Sequence, residues 1–446
     1  MEKAKVNKLE SHPTVLAHRA KTPPSAITPT AAEIREWFLA AGADDVGFVS
    51  IDREALSDQR EEIQQAFPAV KTLVSFVVRM NRGPVLSPHR SVSNLEFHAT
   101  GEQVNDVARQ MVRKFEETGH QAINPSMGFP MEVSRFPGKI WLVSHKPVAV
   151  AAGLGHMGIH RNVIHPKFGN FILLGTVLID FAVDEESQPI DYNPCLGCKL
   201  CVAACPVGAI SPDGGFNFAS CFTHNYREFM SGFTDWVETV VESKSPEEYR
   251  AKHSDAESAS MWQSLSIGPN YKAAYCLSAC PAGEDVIGPF LDDRGKFINQ
   301  VVKPLQQKEE TIYVLPNSDA EQHVQQRFPH KSVKRVGSVL RPTSIDGFIH
   351  AMHHVFQPGR SKRLSARYHF RFTGNEAAAC TVQIHDQQIE VHEGHVGEAN
   401  LRVTTDSNAW LRFLRKEVSI GWLLLTLRVR LRGNPKWLVA FGKCFP

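Results

Sequence analysis

The chain has 446 residues, 42% of them apolar and 22% charged, and a formal net charge of +2. That length allows two or three domains with a sizeable core, and the near-neutral balance offers no global argument for a nucleic-acid or membrane-surface partner. No segment reaches the run of about 18 apolar residues that a spanning helix needs; the longest candidate, residues 171–183, contains Asp180.

Residues 1–29 are polar and Pro-punctuated and read as a mobile tail. They show no apolar signal core and no twin arginine, so a cytoplasmic location is expected. Order begins at Thr30, where Thr30-Ala-Ala-Glu33 forms a capping box ahead of Ile34, Trp37, Phe38 and Ala41 at helical spacing. Strands are expected at residues 46–51 and 73–78. A helix is expected at 103–118, carrying Val104, Val107, Met111 and Phe115 on one face. Strands alternating with helices suggest an α/β layer architecture through about residue 185.

Next comes Ala152-Gly153-Leu154-Gly155-His156-Met157-Gly158. The glycines fit G-x-G-x-x-G numerically, but no convincing helix follows, so a tight strand-to-loop turn is the plainer reading. His145, His156, His160 and His165 crowd this region and read individually as solvated or hydrogen-bonded side chains. Residues 171–180 form a continuous apolar run, expected as a buried strand with a close approach at Gly175.

Seven of the nine cysteines lie between Cys195 and Cys280, which points to metal ligation over a disulfide framework. Cys380 and Cys444 stand alone and read as core thiols. The run Cys195-Leu-Gly-Cys198-Lys-Leu-Cys201-Val-Ala-Ala-Cys205-Pro206 has the C-x2-C-x2-C-x3-C-P spacing of an iron–sulfur ligand set. Zinc would explain C-x2-C pairs, but not the third Cys at the same interval or the closing Cys-Pro. A second Cys-Pro stands at Cys280-Pro281. In two-cluster ferredoxins the fourth Cys of a run binds the other cluster. By that rule Cys195, Cys198, Cys201 and Cys280 hold one 4Fe-4S cluster, and Cys205, Cys221 and Cys276 belong to a second. The second set is one thiolate short, because Ala273 stands where the spacing calls for a Cys. His224 could supply the fourth ligand, the cluster could hold three irons, or its fourth iron could be open. Phe229, Phe233, Trp236 and Trp262, in the gap between Cys221 and Cys276, are expected to keep solvent from the clusters.

Residues 301–341 read as a charged connecting segment with one strand at 311–315. Helical period returns at 345–356. Alternating residues then mark strands around Tyr368, Phe370 and Phe372, around Val382 and Ile384, around Ile389 and Val391 after a turn at Asp386-Gln387, and around Leu401 and Val403. A helix with Trp410, Leu411 and Leu414 follows. Leu427, Val429 and Leu431 alternate with Arg428, Arg430 and Arg432, a face that is either solvated or aimed at an anionic lipid or phosphate.

The glycine run, Ile164-His-Pro-Lys-Phe-Gly169, Leu174-Gly175 and the paired clusters together resemble the shared core of epoxyqueuosine reductases and reductive dehalogenases, over roughly residues 30–295. The resemblance implies a corrinoid near Gly153, Leu154, Gly155, His156 and Gly158, reduced through the clusters by an electron-donor protein such as a flavodoxin or ferredoxin. This chain departs from the family pattern: His156 replaces a Trp, and residues 139–145 lack the carboxylates of the family's Asp-x-x-Pro-x-x-Glu. His145 and Glu132 remain as proton-donor candidates. Residues 342–446 resemble the sterol-carrier-type lipid-binding domain, which implies an apolar ligand or a dimer contact.

The expected fold is thus α+β and multidomain: an α/β domain at 30–185, a ferredoxin-like two-cluster domain at 186–300, the connector at 301–341 and a sterol-carrier-like α+β domain at 342–446. The expected function is iron–sulfur oxidoreduction through a corrinoid on a small, apolar or other substrate. The alternatives are a non-catalytic electron carrier with a lipid- or partner-binding domain, and a lipid binder with redox-sensing clusters.

Overall fold

The structure, a computed structural model, describes residues 9–20, 27–133, 140–337 and 341–445. Residues 1–8 and 21–26 of the expected tail lie outside the described residues, as does Lys139; the tail's described part carries a short helix, Pro13–Arg19. Thr30 caps the Ala31–Ala40 helix through the expected box. Its hydroxyl accepts from the Glu33 N–H, and the Glu33 carboxylate accepts from the Thr30 N–H at 2.8 Å.

The first strands are β1 (Asp45–Ser50), β2 (Thr72–Arg79), β3 (Ala122–Ile123), β4 (His156–Met157), β5 (Val163–Ile164) and β6 (Ile172–Ile179). Four of them form a sheet in the order β1-β2-β6-β3, and every pairing is antiparallel. Helices cover both faces, as the alternation of elements suggested. Val74, Phe76 and Val78 pack with Phe38, Val104 and Phe115 on one side, while Leu73 and Val77 pack with Ile63, Val148 and Ala152 on the other. The α/β reading is corrected in its connectivity. A helix between two strands does not oblige a parallel crossover, and after Ser57–Ala66 the chain re-enters beside β1 in the opposite direction. The Phe76 ring fills the space over Gly175, where a Cβ would meet it at 2.2 Å, so the anticipated close approach is present.

The helix expected at 103–118 spans Arg90–Glu117. Its first half buries Ser93, Asn94, Glu96 and Thr100, so it shows no apolar period. Tertiary partners satisfy those groups: Asn94 accepts from the Tyr271 N–H at 3.0 Å, and Glu96 accepts from the Asn81 N–H at 2.6 Å.

Residues 311–335 are more than a connector. Strands β7 (Thr311–Val314) and β8 (Ser332–Arg335) pair in parallel around the Asp319–Arg327 helix. Ile312, Val314, Val324 and Phe328 pack against Cys201 and Cys205, so this βαβ unit backs the cysteine region.

In the C-terminal third, β9 (Ala366–Thr373), β10 (Ala378–His385), β11 (Gln388–Glu393), β12 (Leu401–Asp406) and β13 (Val429–Gly433) form a sheet in the order β11-β10-β9-β12-β13. Asp386 and Gln387 turn the β10–β11 hairpin with left-handed backbones. Helices Ile345–Val355, Ser407–Leu414, Ile420–Leu425 and Lys436–Lys443 contribute to the core, where Phe348, Phe370, Trp410 and Phe441 pack together. Cys380 and Cys444 are buried in it, as expected of core thiols. Among the described residues no helix is long and apolar enough to cross a membrane.

Candidate metal centre

Gly197 and Lys199 adopt left-handed backbones inside the first cysteine run, with φ of 63° and 61°. The resulting curl aims successive sulfurs inward, and the short Leu200–Ala204 helix then carries Cys201. Cys195, Cys198, Cys201 and Cys280 line one recess of about 280 Å³, counting its open mouth. Cys280 arrives on a strap bonded to the loop before β6: the Glu284 N–H donates to the Pro166 carbonyl at 2.9 Å, and that of Asp285 to Lys167 at 3.0 Å. Among the described residues no three His, Cys, Asp or Glu side chains converge tightly enough to hold a single ion. A tight zinc site would need four ligands about 2.3 Å from one centre.

Cys205, Cys221 and Cys276 form a second group that packs in one apolar cluster with Cys201; Cys205 raises the pKa of both Cys221 and Cys276. Cys221 rides on the Phe218–Asn225 helix and Cys276 on the Tyr275–Ser278 turn. Burial pushes the Cys201 thiol up to about 11 and those of Cys276 and Cys280 up to about 12, and it raises Cys205 and Cys221 as well. A cluster binds these groups as thiolates, so its entry releases their protons. Backbone donors favour the thiolate: the Ala209 N–H points at the Cys205 sulfur from 3.3 Å. Such contacts tune a cluster's potential.

Apart from Cys201, which also lines the first recess, no further thiol joins this second group among the described residues. Ala273 packs with Ala204 and Tyr275, and its N–H donates to Asn225 at 2.8 Å. His224 accepts the Tyr313 N–H on Nδ1 at 3.3 Å, and its buried Nε2 has no hydrogen-bond partner. The charges acting on it come from Glu310, Lys272, Lys331 and Arg90.

The other expected site residues are placed as follows. His145 is buried, with Nδ1 2.8 Å from the Thr176 hydroxyl and Nε2 3.0 Å from the Ser126 carbonyl, and burial lowers its pKa. A neutral ring with both nitrogens engaged is a poor proton donor. Glu132 is exposed. His156 contacts the Met157 carbonyl, His160 the Asn162 N–H and His165 the Asp45 carboxylate, so hydrogen-bonded histidines are the rule here.

The glycine run follows a helix, His145–Ala151, and not the expected strand. Val148, Ala149, Ala151 and Ala152 all pack inward, a helical spacing that small residues disguise as β alternation. Gly153 and Gly155 have positive φ, and a Cβ on them would meet the Gln188 carbonyl at 2.4 Å and the Ile164 carbonyl at 2.5 Å. The chain itself fills these positions, so the run offers no vacant cradle. Leu154 and Gly158 are buried, and His156 is half-buried.

Sequence reasoning missed Lys146. Its ammonium donates to the Arg161 carbonyl at 2.6 Å and to Asn162 Oδ1 at 3.1 Å. The side chain is exposed; desolvation lowers its pKa while Cys276 and Cys221 oppose the shift. Lys146 thus lies within electrostatic reach of the second cysteine group. Near the same cysteines, which act on Tyr226, Tyr226 and Tyr271 have ring centroids 5.5 Å apart, Phe229 packs on both, and Phe129 meets Phe229 at 5.9 Å. Phe229 therefore walls the site as expected. Phe233 and Trp262 do not, being 41% and 64% exposed, because their helices present them outward. A lone lysine ahead of Pro147 carried no motif that could have flagged it.

Residues 189–211 match the family model described as a 4Fe-4S binding domain. The chain is similar to the epoxyqueuosine reductase of Lactococcus garvieae, 32% identical over 24% of this chain and 26% of that one. It is also similar to that of Escherichia coli, 25% identical over 51% of this chain and 62% of that one. The chain thus spans less than two thirds of either relative. Among solved structures, the epoxyqueuosine reductase of Streptococcus thermophilus aligns at 17% identity and a TM-score of 0.33, covering 61% of this chain and 75% of that one.

Proposed function

We propose that this protein is an iron–sulfur oxidoreductase whose two clusters pass electrons to a substrate crevice, which we place at Lys146. The observation that supports this most is that seven cysteines, dispersed over 86 residues, come together, four of them around one recess and the other three in the apolar cluster that holds Cys201. Cys195, Cys198, Cys201 and Cys280 would hold a 4Fe-4S cluster near the surface, where exposed Cys198 suits exchange with an electron-donor protein. Cys205, Cys221 and Cys276 would hold the second cluster. The three-thiolate set supports a three-iron form or a fourth iron facing the crevice more than a His224 ligand.

What the chain contributes at the crevice is positioning. Lys146 places a positive charge beside the second cluster, the Tyr226–Tyr271–Phe229 wall limits water, and the Asn162 and Arg161 carbonyl oxygens hold the ammonium in place. Resemblance to the corrinoid reductases suggests a corrinoid as the crevice's occupant, and B12 chemistry would then act on the substrate. The filled glycine run does not itself fit a macrocycle, so we place the candidate at that crevice and derive no step through it. The relatives' substrate is not carried over, because the carboxylate motif is absent from 139–145. We further propose domains at 30–185, 186–300 and 342–446, a sterol-carrier-like identity for the last, and a cytoplasmic setting. In the last domain the Tyr368 hydroxyl and Trp410 Nε1 are buried without partners, which leaves polar handles for a lipid's oxygen.

Anaerobically purified protein should show two distinct cluster signals in electron paramagnetic resonance, with iron and sulfide content to match. A single cluster per chain refutes the reading. Retention of cobalamin through gel filtration, and displacement of a fluorescent fatty acid from the C-terminal domain, test the two ligand assignments separately.

A further inference from the structure

We propose that the β13 edge of the C-terminal domain docks on an anionic lipid surface. Residues 342–446 hold fourteen Lys and Arg against eight Asp and Glu, a net +6 in a chain whose total is +2. Charge segregated in this way points to a polyanionic partner. The acids Asp386, Glu390, Glu393 and Glu398 lie on the β10–β11 hairpin and the loop after it, at the sheet's opposite edge.

On the outer face the register sets Arg432 beside Arg402, and Arg430 beside Thr404, which in turn pairs with Arg371. The arginines therefore spread over three adjacent strands as a two-dimensional grid. Arg371, Arg402, Arg428, Arg430 and Arg432 are exposed, and none makes an ion pair among the described residues. A planar grid matches a plane of phosphates better than the linear track of a nucleic-acid backbone.

The segment feeding β13 supplies the second observation. Trp422, Leu425 and Leu427 are 44%, 85% and 68% exposed. Leu427 occupies the left-handed position that ends the Ile420–Leu425 helix, with φ of 57°, and Arg428 N–H returns to the Leu423 carbonyl at 2.9 Å. This hydrogen-bonding pattern normally takes glycine at that position. A leucine there strains the backbone and sends an apolar side chain into water, two costs with no return inside the chain. Both make sense if the turn enters the acyl boundary while the arginines meet headgroup phosphates. This inference does not depend on the cluster assignments.

The test is flotation of the full-length protein with vesicles of phosphatidylcholine alone or of an equimolar mixture with phosphatidylserine. We expect binding to the anionic vesicles only, weakening with salt and falling roughly fivefold for each of Arg428→Gln, Arg430→Gln and Arg432→Gln. Leu427→Gly should weaken vesicle binding while keeping the protein folded, since glycine suits that backbone. Binding that ignores lipid charge, or no binding at all, overturns the proposal. So does wild-type binding by Leu427→Gly, or arginine-dependent binding of RNA in place of vesicles.

Discussion

Replacing Lys146 with methionine removes a unit charge beside Cys221 and Cys276 while keeping most of the side chain's bulk. The ammonium stabilises the reduced cluster, which carries one more negative charge, so its loss should lower the reduction potential. Two unit charges attract by about 4 kcal/mol at 4 Å when the effective dielectric constant is 20, and the attraction falls inversely with distance. At roughly twice that separation about 2 kcal/mol remains, and solvent in the crevice removes on the order of half. With about 59 mV per tenfold change for a one-electron couple, the second cluster should drop by roughly 40–90 mV. An anaerobic redox titration followed by electron paramagnetic resonance reads both clusters in one sample, with the first cluster as internal control and Lys146→Arg as the restoring variant. An unchanged second-cluster potential, or equal shifts in both clusters, would refute the electrostatic role assigned to Lys146.

Cys280→Ala should abolish the first cluster's signal and spare the second; loss of the second alone would reverse the pairing. Gly153→Ala sets a Cβ 2.4 Å from the Gln188 carbonyl at a positive φ and should cost roughly 2–4 kcal/mol in urea unfolding. Glu257 is desolvated, yet Lys334, the Ser254 N–H and the Tyr313 hydroxyl hold its pKa down to about 2. Its folded value lies below the unfolded one, so its contribution is present above about pH 4.5 and is lost as pH falls toward 2. Discounted for exposure, that is roughly 1–2 kcal/mol; Glu257→Gln should flatten the acid limb of the stability profile, and an unchanged limb would count against the network.

Where one local rule governs, the sequence was readable. The Thr30 box, the two faces of β2, the hairpin at Asp386-Gln387 and the Asp406-capped Ser407–Leu414 helix all follow from short-range chemistry. The Arg90–Glu117 helix was half hidden because its first turns bury polar groups, among them Asn94, whose partner Asn270 stands 176 residues away, and Glu96, which pairs with Asn81 outside the helix. The strand expected before Gly153 was a helix because alanine and valine at 148–152 satisfy either period.

The ligand grouping shows the same division. Cysteine spacing alone pointed to iron–sulfur ligation at 195–205, where the family model for a 4Fe-4S binding domain matches, since a compact turn can aim closely spaced sulfurs at one object. A rule about exchanged ligands grouped Cys195, Cys198, Cys201 and Cys280, which line one recess. Only the tertiary structure decided what surrounds the second group: a packed alanine at Ala273, a His224 engaged with β7, and the Lys146 charge brought in from another part of the chain. Those depend on contacts between segments far apart in sequence, and no local pattern encodes which charge a fold will set beside three sulfurs.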